Sequence, residues 1–317
     1  MRKDEKMKRR SSIMLMCAGL LLLSAVGGAK EQPEEGDKTV DTLYPGLASG
    51  VLTLARLAEL STGVLLRADS VEISMRELEK ESASAPANVQ AQLKKNALFL
   101  LENMAAKQLL LRLAGKKEGT AKADSGDQSD AKLIQAYLER ALGSIQVTDA
   151  EVKEFYEANK DMCGGATLEQ VKADLKNYVL QEKRQKAVQE HVRTLGKRMT
   201  IEVSAPWAAQ QAILAKDNPV DKARGSGIPS LVDFGASGCR PCDMMTPILA
   251  ALREKYAGKA NVLFIHVQEE QVLAARYGIE SIPVQVFFDK SGKEVFRHTG
   301  FFPQGEIEKK LSEMGVQ

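Results

Sequence analysis

Leu231-Val-Asp-Phe-Gly-Ala-Ser-Gly-Cys-Arg-Pro-Cys-Asp-Met-Met245 decides how the rest of the chain is read. An apolar run with strand character leads to Gly238, and Cys-Arg-Pro-Cys follows at 239–242. A helix begins there, with Met245, Ile248, Leu249, Leu252 and Tyr256 on one face. That order puts two thiols at the N-terminus of a helix, at the C-terminal edge of a sheet, where backbone N–H groups and the helix dipole favour a thiolate. Thiol–disulfide exchange needs an accessible thiol of low pKa and a second thiol to resolve the mixed disulfide. Cys239 comes first and is the expected nucleophile; Cys242, one turn on and better buried, is the expected resolving thiol. Arg240 favours the Cys239 thiolate by its charge and Asp243 opposes it. Cys-x-x-Cys can also be half of a zinc site, but that needs further ligands, and Cys163, His191, His266 and His298 are scattered without ligand spacing. No metal or organic cofactor is implied. The histidines read as strand or surface residues, and Cys163, beside Gly164-Gly165, reads as a bystander thiol rather than a third redox partner.

From Ile228 strands and helices alternate. Strands are expected at Ser230–Phe234, Asn261–Val267, Gln285–Asp289 and Glu294–His298, and helices at Cys239–Tyr256, Glu269–Tyr277 and from Pro303 to Met314. Lys290-Ser-Gly-Lys293 is a hairpin turn. Val-Asp-Phe before the motif, Cys-x-Pro-Cys itself, the helix proline Pro247, Tyr277-Gly-Ile-Glu-Ser-Ile-Pro283 and Gly300 after the last strand, at these spacings, resemble a thioredoxin domain over about 219–317.

The resemblance implies an α/β thioredoxin fold and thiol–disulfide oxidoreductase activity on protein thiols and disulfides, with a redox partner protein. It makes Asp233 the buried acid that moves protons to or from Cys242, the other reading being an Asp that ends a strand. It makes Pro283 the cis-proline facing the sulfurs, with the backbone of Ile282 presenting a substrate strand. Arg240, Pro241, Ile282, Pro283 and Gly300 are then the substrate-docking set, although Gly300 reads equally well as a strand-end glycine. Three departures stand out. Gly238 replaces the tryptophan common before the first cysteine, and Gly235 replaces another common aromatic, which predicts a less apolar and more open rim. Phe264 falls where many family members carry a lysine paired with the acid.

The chain before this domain is rich in Ala, Leu, Lys, Glu and Gln and leans helical. Leu43 to Leu60 reads as a weak helix with Leu47, Val51, Leu54 and Leu57–Ala58 on one face. Val64 to Ile73 is an extended pair around Asp69-Ser70. Ser74-Met-Arg-Glu77, Thr148-Asp-Ala-Glu151 and Thr167-Leu-Glu-Gln170 are capping boxes that open helices. Val89 to Ala114 is one amphipathic helix, Gly115 to Asp130 a loop, and Lys132 to Leu142 a helix with Leu133, Tyr137 and Leu138 inward. The Thr167 helix runs to about Leu195, with Gln181 to Lys186 as a solvated face. A short strand covers Thr200–Val203, and Pro206-Trp207 opens a linker helix ending near Asp217-Asn-Pro219.

The order of "Leu-Arg-Ala-Asp-Ser-Val-Glu-Ile" (66–73), the Ser74 box, a long helix, "Thr-Asp-Ala-Glu-Val-Lys-Glu-Phe-Tyr-Glu-Ala-Asn-Lys" (148–160) and Thr167 through Ile-Glu-Val203 resembles the N-terminal chaperone domain of SurA-type parvulin folding factors. The resemblance covers roughly 64–203. In that family a prolyl-isomerase domain is inserted between the last two pieces; here only Asp161–Ala166 lies there. The resemblance implies a cradle for unfolded clients, and the alternatives are a spacer or a dimerisation arm.

Residues 1–29 form a signal segment. A basic run (Arg2, Lys3, Lys6, Lys8, Arg9, Arg10) precedes the apolar Ile13–Val26, and Gly27-Gly28-Ala29 offers small residues for cleavage. The alternative is an uncleaved anchor. Cys17 follows Met16 inside the apolar run and is no lipid acceptor. Export implies a periplasm-type compartment where disulfides persist. The expected organisation is signal 1–29, disordered spacer 30–42, helical domain 43–205, linker helix 206–218 and thioredoxin-like domain 219–317. Removal of Cys17 leaves three cysteines, too few for a disulfide framework. The net charge of +2 argues neither for nor against nucleic acid; the sequence shows no basic, aromatic-interleaved patch, and no nucleic-acid partner is expected. The functional alternative is a periplasmic holdase whose thioredoxin-like domain is a binding module.

Overall fold

A computed structural model describes residues 38–69, 71–115 and 127–317. The predicted signal segment, Ser70 and most of the 115–130 loop lie outside the described residues. The first part of the chain contains α1 (Val40–Leu43), β1 (Arg56–Ala58), β2 (Val64–Ala68), β3 (Val71–Ser74), α2 (Met75–Ser84), α3 (Ala87–Lys95), α4 (Ala97–Leu113), α5 (Asp127–Leu142), α6 (Asp149–Ala158), α7 (Leu168–Arg198), β4 (Ile201–Ser204) and α8 (Ala205–Ala215). The second contains α9 (Pro219–Arg224), β5 (Ser230–Gly235), α10 (Arg240–Lys255), β6 (Asn261–His266), α11 (Gln271–Arg276), β7 (Val284–Phe288), β8 (Glu294–Thr299) and α12 (Gln304–Glu313).

The first part is helical around a small sheet of order β1-β4-β2-β3. β4 arrives from far along the chain and inserts between β1, which it pairs in parallel, and β2, which it pairs antiparallel. The helices between β3 and β4 are thereby closed into one module. Leu52, Leu66, Ile73, Leu98, Leu101, Leu109, Ile201 and Val203 are buried in its core. Each such side chain contributes about 1.5–3 kcal/mol by leaving water. α6 and α7 pack around a smaller cluster of Val147, Val152 and Val179. The capping boxes form as expected: Ser74 and Thr148 hydroxyls accept the Glu77 and Glu151 N–H groups, and Gln170 accepts the Thr167 N–H. Among the described residues no helix is long and apolar enough to cross a membrane.

Five local expectations differ from the structure. Residues 43–60 are not helical beyond α1. Pro45, Gly46 and Gly50 interrupt them, and pairing with β4 draws Arg56–Ala58 into a strand; Leu54 is 46% exposed. The loop is held by buried Glu102 of α4, whose carboxylate accepts the N–H groups of Ser49, Gly50 and Leu52. The spacer ends before residue 42, because Val40 is fully buried and Thr39 bridges Arg56. The single helix over 89–114 is two, broken at Asn96. α5 begins at Asp127, inside the expected loop, and Leu133 on it is exposed. α8 is not a linker: Trp207, Ala208, Ala212 and Ala215 belong to the first core.

The second part has the mixed sheet β6-β5-β7-β8, with β5 and β6 parallel and the other neighbours antiparallel. β5 is buried at all six positions. One core lies between the sheet and α10 with α12, around Leu231, Met245, Leu252 and Phe287. The other lies on the opposite face, around Val232, Phe234, Leu273 and Val286.

Residues 38–317 form one compact body, and polar bonds join its two parts. Gln92 of α3 donates to Glu269 O (2.7 Å) and accepts the Val272 N–H (2.9 Å) at the start of α11. Buried Arg276 donates to Asn96 Oδ1 (3.1 Å), Ala215 O (3.1 Å) and Asp221 Oδ2 (2.5 Å). Truncating one partner of a buried ion pair costs about 3–5 kcal/mol. Arg276→Ala is therefore expected to lower unfolding free energy in urea by about 3 kcal/mol and to split one transition into two. A single transition of unchanged midpoint would show that Arg276 does not join the parts.

Candidate active site

The site is built at the C-terminal end of β5. Gly238 takes φ +78°, a left-handed conformation that favours glycine, and turns the chain into α10. Cys239 is the N-cap of α10, and its carbonyl accepts the Asp243 N–H at 2.9 Å. Pro241 lies in the first turn, where no N–H is needed. Cys239 and Cys242 are joined in a disulfide; Cys239 is half-buried, Cys242 is buried, and Arg240 is exposed between them. The half-buried cysteine thus sits at the helix N-cap and the buried one lies within its first turn.

Asp233 is fully buried on β5, and Gln285, its partner on β7, donates to Oδ1 at 2.7 Å. Oδ2 has no hydrogen-bond partner among the described residues. Burial raises the Asp233 pKa to about 6, against the lowering effect of the Gln285 bond. Asp233 and Gly235 share one face of the strand, and Cys242 lies over that face. A Cβ on Gly235 would stand 3.4 Å from Cys242 Sγ and 2.9 Å from the Phe264 ring. Phe264 pairs with Asp233 across the parallel ladder and is 41% exposed. Its ring occupies the space beside Gly235, so the rim expected to be open there is covered by an aromatic from the neighbouring strand.

The Ile282–Pro283 peptide is cis. Val284 pairs with Phe234, which brings Ile282 and Pro283 to the end of β5 from which the cysteine turn emerges. Gly300 (φ +102°) donates its N–H to Pro283 O at 2.8 Å, so it ties the strand end to the proline turn. The expected set Asp233, Cys239, Arg240, Pro241, Cys242, Ile282, Pro283 and Gly300 therefore gathers at one edge of the sheet.

Two contributors escaped the sequence reading. Gln285 is the one polar residue in Val-Gln-Val-Phe-Phe, and that interruption of a buried strand was its signal. His266, at the end of β6, accepts the Ser237 N–H at 3.2 Å and so holds the turn two residues before Cys239. The other histidines are elsewhere: His298 stacks on Phe302, and His191 contacts Tyr137. Cys163 remains a free thiol at the end of a 3-10 turn.

The raised Asp233 pKa makes the folded chain hold a proton that the unfolded chain has lost. Stability therefore falls as pH rises from about 4 through about 6, by about 3 kcal/mol. Asn accepts the Gln285 bond without the charge. Asp233→Asn is expected to be about 2–3 kcal/mol more stable than the parent at about pH 7.5 and equal to it at about pH 4, by chemical denaturation. The same difference at both pH values would contradict a buried, ionising Asp233.

The family model described as Thioredoxin matches residues 210–313. The chain is 42% identical to a thioredoxin of Chlorobaculum thiosulfatiphilum over 83 residues, 26% of this chain and 76% of that one. It is 40% identical to a thioredoxin of Staphylococcus epidermidis over 91 residues, 29% of this chain and 86% of that one. The crystal structure of thioredoxin NaTrxh from Nicotiana alata aligns at 30% identity and TM-score 0.28, over 30% of this chain and 80% of that one. With that likeness confined to the part that carries Cys239 and Cys242, the chain belongs to the thioredoxin family through its C-terminal module.

Proposed function

We propose that this protein is an exported thiol–disulfide oxidoreductase acting on polypeptide thiols and disulfides. The observation that carries the reading is the Cys239–Cys242 pair, one sulfur half-exposed at a helix N-cap and the other buried over the face that holds Asp233. In the reducing direction the Cys239 thiolate attacks a client disulfide. A Cys239–client bond forms, and one client sulfur leaves as thiolate and takes a proton. Cys242 then attacks Cys239 Sγ, forming the intramolecular disulfide and releasing the second client thiol. The pair loses two electrons and the client gains them. A partner dithiol restores the reduced pair, and the same steps in reverse oxidise a client dithiol.

Asp233 takes the Cys242 proton as that thiol attacks and returns it when the pair is reduced; a pKa of about 6 suits both transfers near neutral pH. Ile282 and Pro283 present the client strand, Gly300 braces them, and Arg240 and Pro241 form the opposite lip. The N-terminal module is read as SurA-like, a cradle for unfolded clients, and the basic-then-apolar segment ahead of it supports a periplasmic location. A holdase with a thioredoxin-like binding module is the second reading.

Cys239→Ser is expected to abolish insulin-type disulfide reduction, while Cys242→Ser accumulates a mixed disulfide on Cys239, read by mass spectrometry. Adducts on Cys242 in the Cys239→Ser chain would reverse the roles. Full protection of unfolded clients from aggregation by Cys239→Ser, with its reductase activity gone, would make the holdase reading primary.

A further inference from the structure

We infer that α7 forms one wall of the client-docking surface, and that the cleft behind it takes the extended chain flanking the client's half-cystine. The pair then works on unfolded polypeptides in preference to folded disulfide proteins. This rests on the redox reading of Cys239 and Cys242 and names its substrate class.

α7 touches the docking loop directly. The Tyr178 hydroxyl donates to Ser281 Oγ at 3.4 Å, and Gln189 donates to Glu280 Oε1 at 3.1 Å. Ser281 is the residue before Ile282–Pro283. Tyr178, Glu182, Gln185 and Gln189 are spaced by four, three and four residues, which places them on one helical face. Gln181, Arg184, Gln185 and Lys186 are exposed, as a solvated face would be, and Glu182, Gln185 and Lys186 also line a cleft. Its cavity of about 820 Å³ runs between that face and the sheet, with Phe99, Val188, Val192 and Ile279 among its walls.

The lining suits a polypeptide better than a charged small molecule. Arg224 and Arg276 are paired with Asp221, Arg297 with Glu294, and Glu102 with backbone N–H groups. What remains is apolar surface, the uncharged polar side chains of Ser49, Asn103, Gln185, Gln189, Tyr277, Ser281 and Thr299, and the charged Glu182, Lys186 and Glu280, of which Glu280 accepts from Gln189. Amides and side-chain pockets are what an extended strand uses, since main-chain bonds hold it and pockets select it. The cleft is continuous with the docking loop, because Glu280 and Ser281 line it. Gly196 of α7 packs closely on the Val51 backbone and Val192 on the first core, so α7 is fixed to the helical module that Gln92 and Arg276 tie to the second part. A helix about 10–12 Å across beside the docking loop obstructs the flat surface of a folded protein and lets a single strand pass.

The test compares the full chain with Tyr178→Ala and with Gln185→Trp, which fills the cleft. The substrates are an unstructured disulfide-linked peptide pair, a folded protein with an exposed disulfide, and a small aromatic disulfide. In both variants kcat/KM on the peptide relative to the small disulfide is expected to fall about 5- to 30-fold, mainly through KM. The parent is expected to prefer the peptide to the folded protein. An unchanged ratio, or a parent preference for the folded protein, would overturn the inference. A second arm needs no redox activity: a fluorescein-labelled peptide with serine for cysteine is titrated by anisotropy. Weaker binding to Gln185→Trp by about fivefold or more supports the cleft, while equal binding, or no binding by the parent, overturns it. Failure of the parent to turn over any disulfide would instead remove the redox reading and leave the cleft to the anisotropy result.

Discussion

A buried guanidinium must find acceptors for its N–H groups or cost several kcal/mol. Arg276 finds them for Nη1 and Nη2 on three separate segments: Asn96 between α3 and α4, the carbonyl of Ala215 at the end of α8, and Asp221 in α9; its buried Nε has no partner among the described residues. Each acceptor belongs to a place where a helix ends or begins, so meeting one side chain's needs sets how the helical module meets the thioredoxin module. Such pairs add little net stability, because desolvation offsets the attraction; their effect is on geometry. α7, packed on the helical module through Gly196 and Val192, meets the turn before Pro283 through Tyr178 and Gln189.

The active site follows a related logic. β5 is buried throughout, yet it carries Asp233, whose ionisation is opposed by that burial and eased by Gln285 alone. An ordinary core position would not hold such a group. It lies on the face that Cys242 covers. Phe264, which pairs with Asp233 on the neighbouring strand, brings its ring beside Gly235 on the same edge of the site.

The thioredoxin module was legible because its signals are local and mutually dependent: a strand, a turn glycine, two cysteines and a helix in one stretch, then a proline before a buried strand. The capping boxes were legible for the same reason. What was not legible depends on distant partners. Arg56–Ala58 is a strand because β4 comes back to pair with it. The helix over 89–114 breaks at Asn96 where the Arg276 bond is made, and nothing near Asn96 in the sequence announces that bond. Pro206-Trp207 reads as a connector from sequence because most of the core that Trp207 fills comes from residues about a hundred or more positions earlier, between Val40 and Leu109. Phe264 at Gly235 is a packing substitution between two strands, invisible from either alone.

The claim most central to this account is that Cys239 and Cys242 form a working redox couple rather than a structural staple. The reduction potential of the pair, measured by equilibration of the full chain in glutathione and dithiothreitol buffers, tests it directly. A working couple is expected between about −270 mV, as in thioredoxin, and about −120 mV, as in strong oxidants. A value below about −300 mV, the range of structural disulfides, would contradict it.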